Sequence, residues 1–154
     1  MTITRVQGNQ VNSAGVVTSQ AITLGSGVTL GNLLVVAVGD GSNVTSITPP
    51  DGSWTQVTIN QPAGASATIE AAIFYLVVDS GHAGATSWTW TFSASHTAYL
   101  CMEEWSASTG WPANPVDVSA NGDTIGTPVT ATTIEICCMR CAKSPRPRGR
   151  ARMT

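Results

Sequence analysis

The amino-acid sequence predicts an all-β domain, an antiparallel β-sandwich of jelly-roll-like type with seven to nine strands, ending in an irregular basic tail. Three observations predict it. Apolar residues either alternate with polar ones at a period of two or form short continuous runs between glycines. Gly, Pro, Asn and Asp punctuate the chain roughly every 8–15 residues, the spacing of short strands joined by turns. Charged residues make up only 10% of the chain, against about 25% in an average soluble domain. Polarity must therefore come from hydroxyls and amides, and Thr suits a sheet because it is β-branched yet polar.

The elements follow in order. Val16–Leu24 is the first convincing strand and stops at Gly25-Ser-Gly27. Leu33–Val38 is continuously apolar between Gly31 and Gly39; its shortness and the glycines favour a buried strand over a helix. Val44–Thr48 is halted by Pro49-Pro50 and the Asp51-Gly52 turn signal. In Trp54–Ile59, Trp54, Gln56 and Thr58 alternate with Thr55, Val57 and Ile59. Thr68–Val78 is long and ends at Asp79-Ser-Gly81. Ser87–Phe92 alternates strictly, with Trp88, Trp90 and Phe92 on one face and Ser87, Thr89 and Thr91 on the other. In Thr97–Ser106, Ala98, Leu100, Met102 and Glu104 oppose Tyr99, Cys101, Glu103 and Trp105. A Ser-, Gly-, Pro- and Asn-rich loop covers Ala107–Asn114, and Val116–Val118 and Pro128–Ile136 are the last candidates. The chain length suits a single domain, placed at residues 1–135, with 136–154 as the tail.

Charge is distributed unevenly. Nine acids and one base, Arg5, precede Arg140, a net charge of −8, whereas residues 140–154 carry +6. The main domain is thus a poor nucleic-acid binder, because phosphate neutralisation needs Lys and Arg. No apolar run approaches the roughly 18 residues of a membrane-spanning helix. The start lacks a basic and then apolar secretion signal, so the expectation is synthesis in the cytoplasm, with final placement in a virion or at a cell surface. The tail holds Cys137, Cys138 and Cys141 and six bases. It reads as a basic arm, as a Cys-x-x-Cys metal or redox site, or as a sequence accident such as a shifted reading frame. The last is favoured because the β pattern fails between Thr133 and Cys137, inside an element.

Catalytic chemistry finds little support. A glycosidase needs two carboxylates facing across a cleft, and the adjacent Glu103 and Glu104 point to opposite faces of a strand; an edge or loop position is the plainer expectation for them. No Gly-x-Ser-x-Gly elbow and no phosphate-binding glycine loop is present. His82 and His96 are expected as exposed turn residues. Asp40-Gly-Ser-Asn43 and Asn121-Gly-Asp123 could supply oxygens to calcium but are ordinary turn formers. Asn43-Val-Thr45 matches a glycosylation acceptor. Cys101 is expected as a free buried thiol. The expectation is therefore no catalytic residues, no metal and no cofactor. The five tryptophans are the best lead: Trp88 and Trp90 as core, Trp54 capping one end of the sandwich, Trp105 and Trp111 flanking a loop. Trp111, Trp105 and Trp54 are the candidate binding residues, since an exposed aromatic ring can stack on a sugar or anchor a protein partner.

The segments Gly31–Val38, Ile47–Thr55, Ala72–Tyr75, Trp90–Ser93 and Glu104–Ala107, taken together, resemble a loose group of β-sandwich modules in bacteriophage virion and tail-associated proteins and bacterial surface proteins, over residues 3–134. The resemblance rests on turn and core residues. It implies a non-catalytic module that decorates particles, spaces domains, or binds surfaces or glycans. The leading expectation is a phage-type structural or assembly protein whose partners are other proteins or copies of itself. The alternative is a carbohydrate-binding or adhesion module. A glycoside-active enzyme built on Glu103 or Glu104 is a distant third.

Overall fold

A computed structural model describes residues 1–40, 44–60 and 71–116. These residues form eight strands and no helix: β1 (Ile3–Asn12), β2 (Val17–Thr23), β3 (Leu33–Asp40), β4 (Ile47–Thr48), β5 (Thr55–Asn60), β6 (Ala71–Val77), β7 (Ser87–His96) and β8 (Ala98–Ala107). Every pairing is antiparallel. One sheet has the order β1-β8-β3-β6-β5 and the other β2-β7-β4. The fold is an antiparallel β-sandwich. Among the described strands only β5 and β6 are both consecutive and paired, and each of the six other connections carries the chain from one sheet to the other.

The core lies between the sheets. The five-stranded sheet contributes Leu34, Val36, Val38, Ala72, Phe74, Leu76, Leu100 and Met102, and the three-stranded sheet contributes Ile22, Ile47, Trp88, Trp90 and Phe92. The strict alternation expected for Ser87–Phe92 is realised: the three aromatic rings are buried and the hydroxyl residues between them are exposed. Leu33–Val38 forms a central strand flanked by β6 and β8. Burial on both sides explains its unbroken apolar run.

Several expectations are corrected. β1 carries no strong strand signal in the sequence, because its inward positions include amides. Gln7 Nε2 donates to Glu104 Oε2 at 2.6 Å, and Asn9 Nδ2 donates to the Thr23 carbonyl at 2.7 Å. The Val44–Thr48 segment shortens to a two-residue strand, although Val44 is fully buried. The β5–β6 register shifts between Gln56 and Thr58, a bulge or irregularity that interrupts the regular pairing expected across this strand. Glu103 and Glu104 are neither at an edge nor in a loop. β8 lies between β1 and β3, and both side chains are buried. Val118 and the candidates Asn121-Gly-Asp123, Pro128–Ile136 and the tail lie outside the described residues, as do Gly41-Ser-Asn43.

Candidate functional site

The antiparallel ladder fixes which side chains share the outer surface of the five-stranded sheet. On β8 these are Tyr99, Cys101, Glu103 and Trp105. β1 aligns Arg5 with Trp105 and Gly8 with Glu103, and β3 aligns Leu33, Val35 and Ala37 with Trp105, Glu103 and Cys101. β6 continues the surface with Ile73, Tyr75 and Val77 opposite Ala37, Val35 and Leu33. In a sandwich this side usually meets water and is polar. Here Leu33 and Tyr75 are buried, and Val35, Ala37, Ile73, Val77, Cys101 and Trp105 are half-buried.

The segment after β8 turns back onto this surface. Gly110, at φ 74°, takes the left-handed conformation that favours glycine, and its N–H donates to the Ala107 carbonyl at 3.0 Å. The Trp111 indole N–H then donates to the Trp105 carbonyl at 3.2 Å, and the Tyr75 hydroxyl donates to Asn114 Oδ1 at 3.3 Å. Trp105 and Trp111 are thus brought together, each half-buried. Trp54 is elsewhere. It is buried against Trp90 and Trp88, at ring-centroid distances of 5.0 and 6.4 Å with near-perpendicular planes. That is core packing, and it withdraws the ring from any ligand. The exposed aromatic ring on the same outer surface is Tyr99, 52% exposed. It borders a groove of about 380 Å³ also lined by Gln10, Asn12, Ala37, Ala71 and Cys101, a volume within the range of ligand pockets.

Glu103 and Arg5 are the charged pair of this surface. Arg5 Nε donates to Glu103 Oε1 at 2.9 Å, with the Glu103 side chain buried and Arg5 nearly half exposed. The side chains occupy the space above Gly8, where an added Cβ would lie 2.9 Å from Glu103 Cγ. Glu103 Oε2 is buried with no hydrogen-bond partner. Glu104, on the inner surface, is a structural group: Gln7, the Thr29 N–H and the Asn32 amide all donate to it. The two glutamates therefore point to opposite sides of the sheet and cannot act as a catalytic pair.

Both histidines depart from expectation. His96 is buried at the end of β7, its ring edge-on to Phe92 at 4.2 Å. His82 is drawn into a cluster with two carboxylates: Nδ1 lies 2.7 Å from Asp79 Oδ1, and Nε2 lies 3.1 Å from Asp51 Oδ2. The Asp51 and Asp79 hydrogen bonds raise the His82 pKa above its ordinary value, against a smaller opposing effect of burial. The His82 hydrogen bond holds Asp79 below the usual carboxylate range. Burial alone would push Asp51 up, but hydrogen bonds from Ser53 and His82 outweigh it and hold the group low. With both ring nitrogens on carboxylates, His82 is not set to act as a base toward a hydroxyl. Cys101 is half-buried and disulfide-bonded, not the free thiol expected; the other three cysteines lie outside the described residues.

Among the described residues no group of three or more His, Cys, Asp and Glu is arranged to hold a metal ion, and no helix is long and apolar enough to cross a membrane. Sequence reasoning missed Arg5, Tyr75, Tyr99, Asn114 and the Asp51–His82–Asp79 cluster. Arg5, Tyr75, Asn114 and Asp51 gain their places from partners far along the chain, which no local pattern reports. No protein-family model, curated protein or solved structure matches the chain.

Proposed function

We propose that this chain is a non-catalytic structural and assembly protein, of the kind that builds or decorates a phage-type particle, and that it associates through the outer side of its five-stranded sheet. The observation carrying this reading is that the outer side of the sheet, the Arg5–Glu103 pair apart, is largely apolar. Leu33, Val35, Ala37, Ile73, Val77 and Trp105 form a continuous surface where a solvated sandwich would place Thr, Lys or Glu. Low overall charge suits such packing, since a desolvated charge at an interface is costly. The test is sedimentation across a concentration series, with binding to purified capsid and tail proteins alongside. Self-association is expected, and Ile73→Lys should weaken it about tenfold or more, the equivalent of roughly 1.4 kcal/mol. A strict monomer with no affinity for capsid or tail components overturns the reading.

The alternative, a glycan-binding module, is favoured by one specific arrangement. The exposed Tyr99 ring borders the groove together with the amide side chains of Gln10 and Asn12. Such a set could stack on a pyranose and hydrogen-bond its hydroxyls. A glycan array comparing the parent protein with Tyr99→Ala and Trp111→Ala separates the two readings. Loss of glycan binding in Tyr99→Ala supports the alternative, and no binding by the parent protein removes it.

A further inference from the structure

The β4–β5 turn and the β6–β7 loop meet at one end of the sandwich, and the meeting point is His82. Its side chain is 15% exposed, and each ring nitrogen is within hydrogen-bond distance of a different carboxylate. Asp79 belongs to the same loop as His82, whereas Asp51 lies 31 residues earlier, in the other connection. Asp79 Oδ1 also accepts the N–H groups of Gly81 and His82, which fixes its loop. Asp51 Oδ1 accepts the Ser53 N–H at 2.8 Å, which fixes the turn just before Trp54. A neutral imidazole has one N–H and one lone pair. In that state one ring nitrogen would present a lone pair to a carboxylate oxygen. Only the imidazolium, with two N–H groups, satisfies both contacts.

We propose that Asp51, His82 and Asp79 form a protonation-dependent clamp that ties the β4–β5 turn to the β6–β7 loop and holds Trp54 in its core position. Among the described residues no other titratable group lies in the segments that pack around the clamp. Residues 47–56 contain only Asp51, residues 78–88 only Asp79 and His82, and residues 24–32 none. The last segment packs on the same loop through Gly27, which touches Gly84, and through the Gly84 N–H donating to the Val28 carbonyl. Trp54 transmits the state of the clamp inward, because its ring lies against Trp90 and Trp88. A His82 pKa that is higher folded than unfolded makes the clamp's contribution full below the ordinary value of 6.5 and lost as pH rises through the folded value. The clamp therefore closes in mildly acidic surroundings and loosens in alkaline ones.

The experiment is an NMR titration of the whole protein from about pH 5 to about pH 9, spanning the histidine range. It follows the His82 ring and the Trp54 indole N–H, with denaturant midpoints measured at both ends. The expected result is a His82 midpoint above 6.5, a Trp54 resonance that moves with the same midpoint, and a denaturant midpoint that falls with rising pH. Asp51→Asn should move the His82 midpoint toward its ordinary value. His82→Gln should remove the pH dependence of the Trp54 signal. A His82 midpoint at or below 6.5, a Trp54 signal flat with pH, or an unchanged Trp54 profile in His82→Gln overturns the proposal. The His82 reading needs no variant, so it stands even where a substitution prevents folding.

Discussion

Glu104 offers the sharpest test of what holds the sandwich together. Its side chain is fully buried, and it accepts from Gln7 Nε2 at 2.6 Å, the Thr29 N–H at 2.9 Å and Asn32 Nδ2 at 2.7 Å. These three bonds fasten β8 to β1 and to the loop between β2 and β3. In Glu104→Gln the shape is kept and one oxygen can still accept from Thr29 and Asn32. The new amide NH₂ then confronts Gln7 Nε2, donor against donor. Flipping Gln7 to relieve this turns its Oε1 away from Ser26, whose N–H and Oγ lie 3.1 and 3.2 Å from it. Without the flip a buried donor is stranded, at about 1–3 kcal/mol; with it the exposed Ser26 N–H and Oγ turn to water, and the loss is that of carboxylate hydrogen bonds becoming weaker neutral ones, about 1 kcal/mol. Glu104→Leu strands several donors and should cost about 3–5 kcal/mol, the range for breaking a buried polar or ionic cluster. With a urea dependence of about 1–3 kcal/mol per molar, the unfolding midpoint should fall by roughly 1 M for Gln and roughly 2 M for Leu. Equilibrium urea unfolding followed by tryptophan fluorescence measures both. A Glu104→Gln protein within about 0.5 kcal/mol of the parent, or a Glu104→Leu protein more stable than it, would refute the reasoning. It would mean that the cost of burying the carboxylate exceeds what its hydrogen bonds return.

Two further expectations concern packing. Trp54→Ala removes a ring held edge-on between Trp88 and Trp90 and should destabilise by about 3–5 kcal/mol, read as a shift in denaturant midpoint. A change under about 1 kcal/mol would contradict its core role. Gly27→Ala would place a Cβ 2.7 Å from the Gly84 carbonyl oxygen and 2.9 Å from its Cα; backbone cannot swing aside, so about 1–3 kcal/mol should be lost. In a thermal melt that is roughly 4–12 °C, whereas Gly15→Ala, with nothing near its Cβ, should leave the melting temperature unchanged.

The readable parts of this protein are those in which a strand's own pattern reports its surroundings. Trp88, Trp90 and Phe92 alternate with hydroxyl residues and are buried as that alternation requires. Leu33–Val38 is apolar throughout and lies in the middle of its sheet, flanked by β6 and β8. The unread parts are those in which polar residues satisfy one another inside the fold. β1 escapes notice because Gln7 and Asn9 occupy its inward positions. The burial of Glu104 is unreadable because its donors come from positions 7, 29 and 32. Trp54 and Trp111 look alike as isolated aromatics beside turns. Only the packing sends Trp54 into the core and lays Trp111 against Trp105.

Alternation, glycine punctuation and low charge by themselves determined an all-β sandwich, because the pleat imposes a period of two on any strand with one buried side. They could not determine that β1 pairs with β8 across about ninety residues, that Glu103 and Glu104 lie inside a sheet, or that His82 meets Asp51. These are decided by pairing between distant segments, where the burial and hydrogen bonds of the whole domain are satisfied together and no local pattern records the partner.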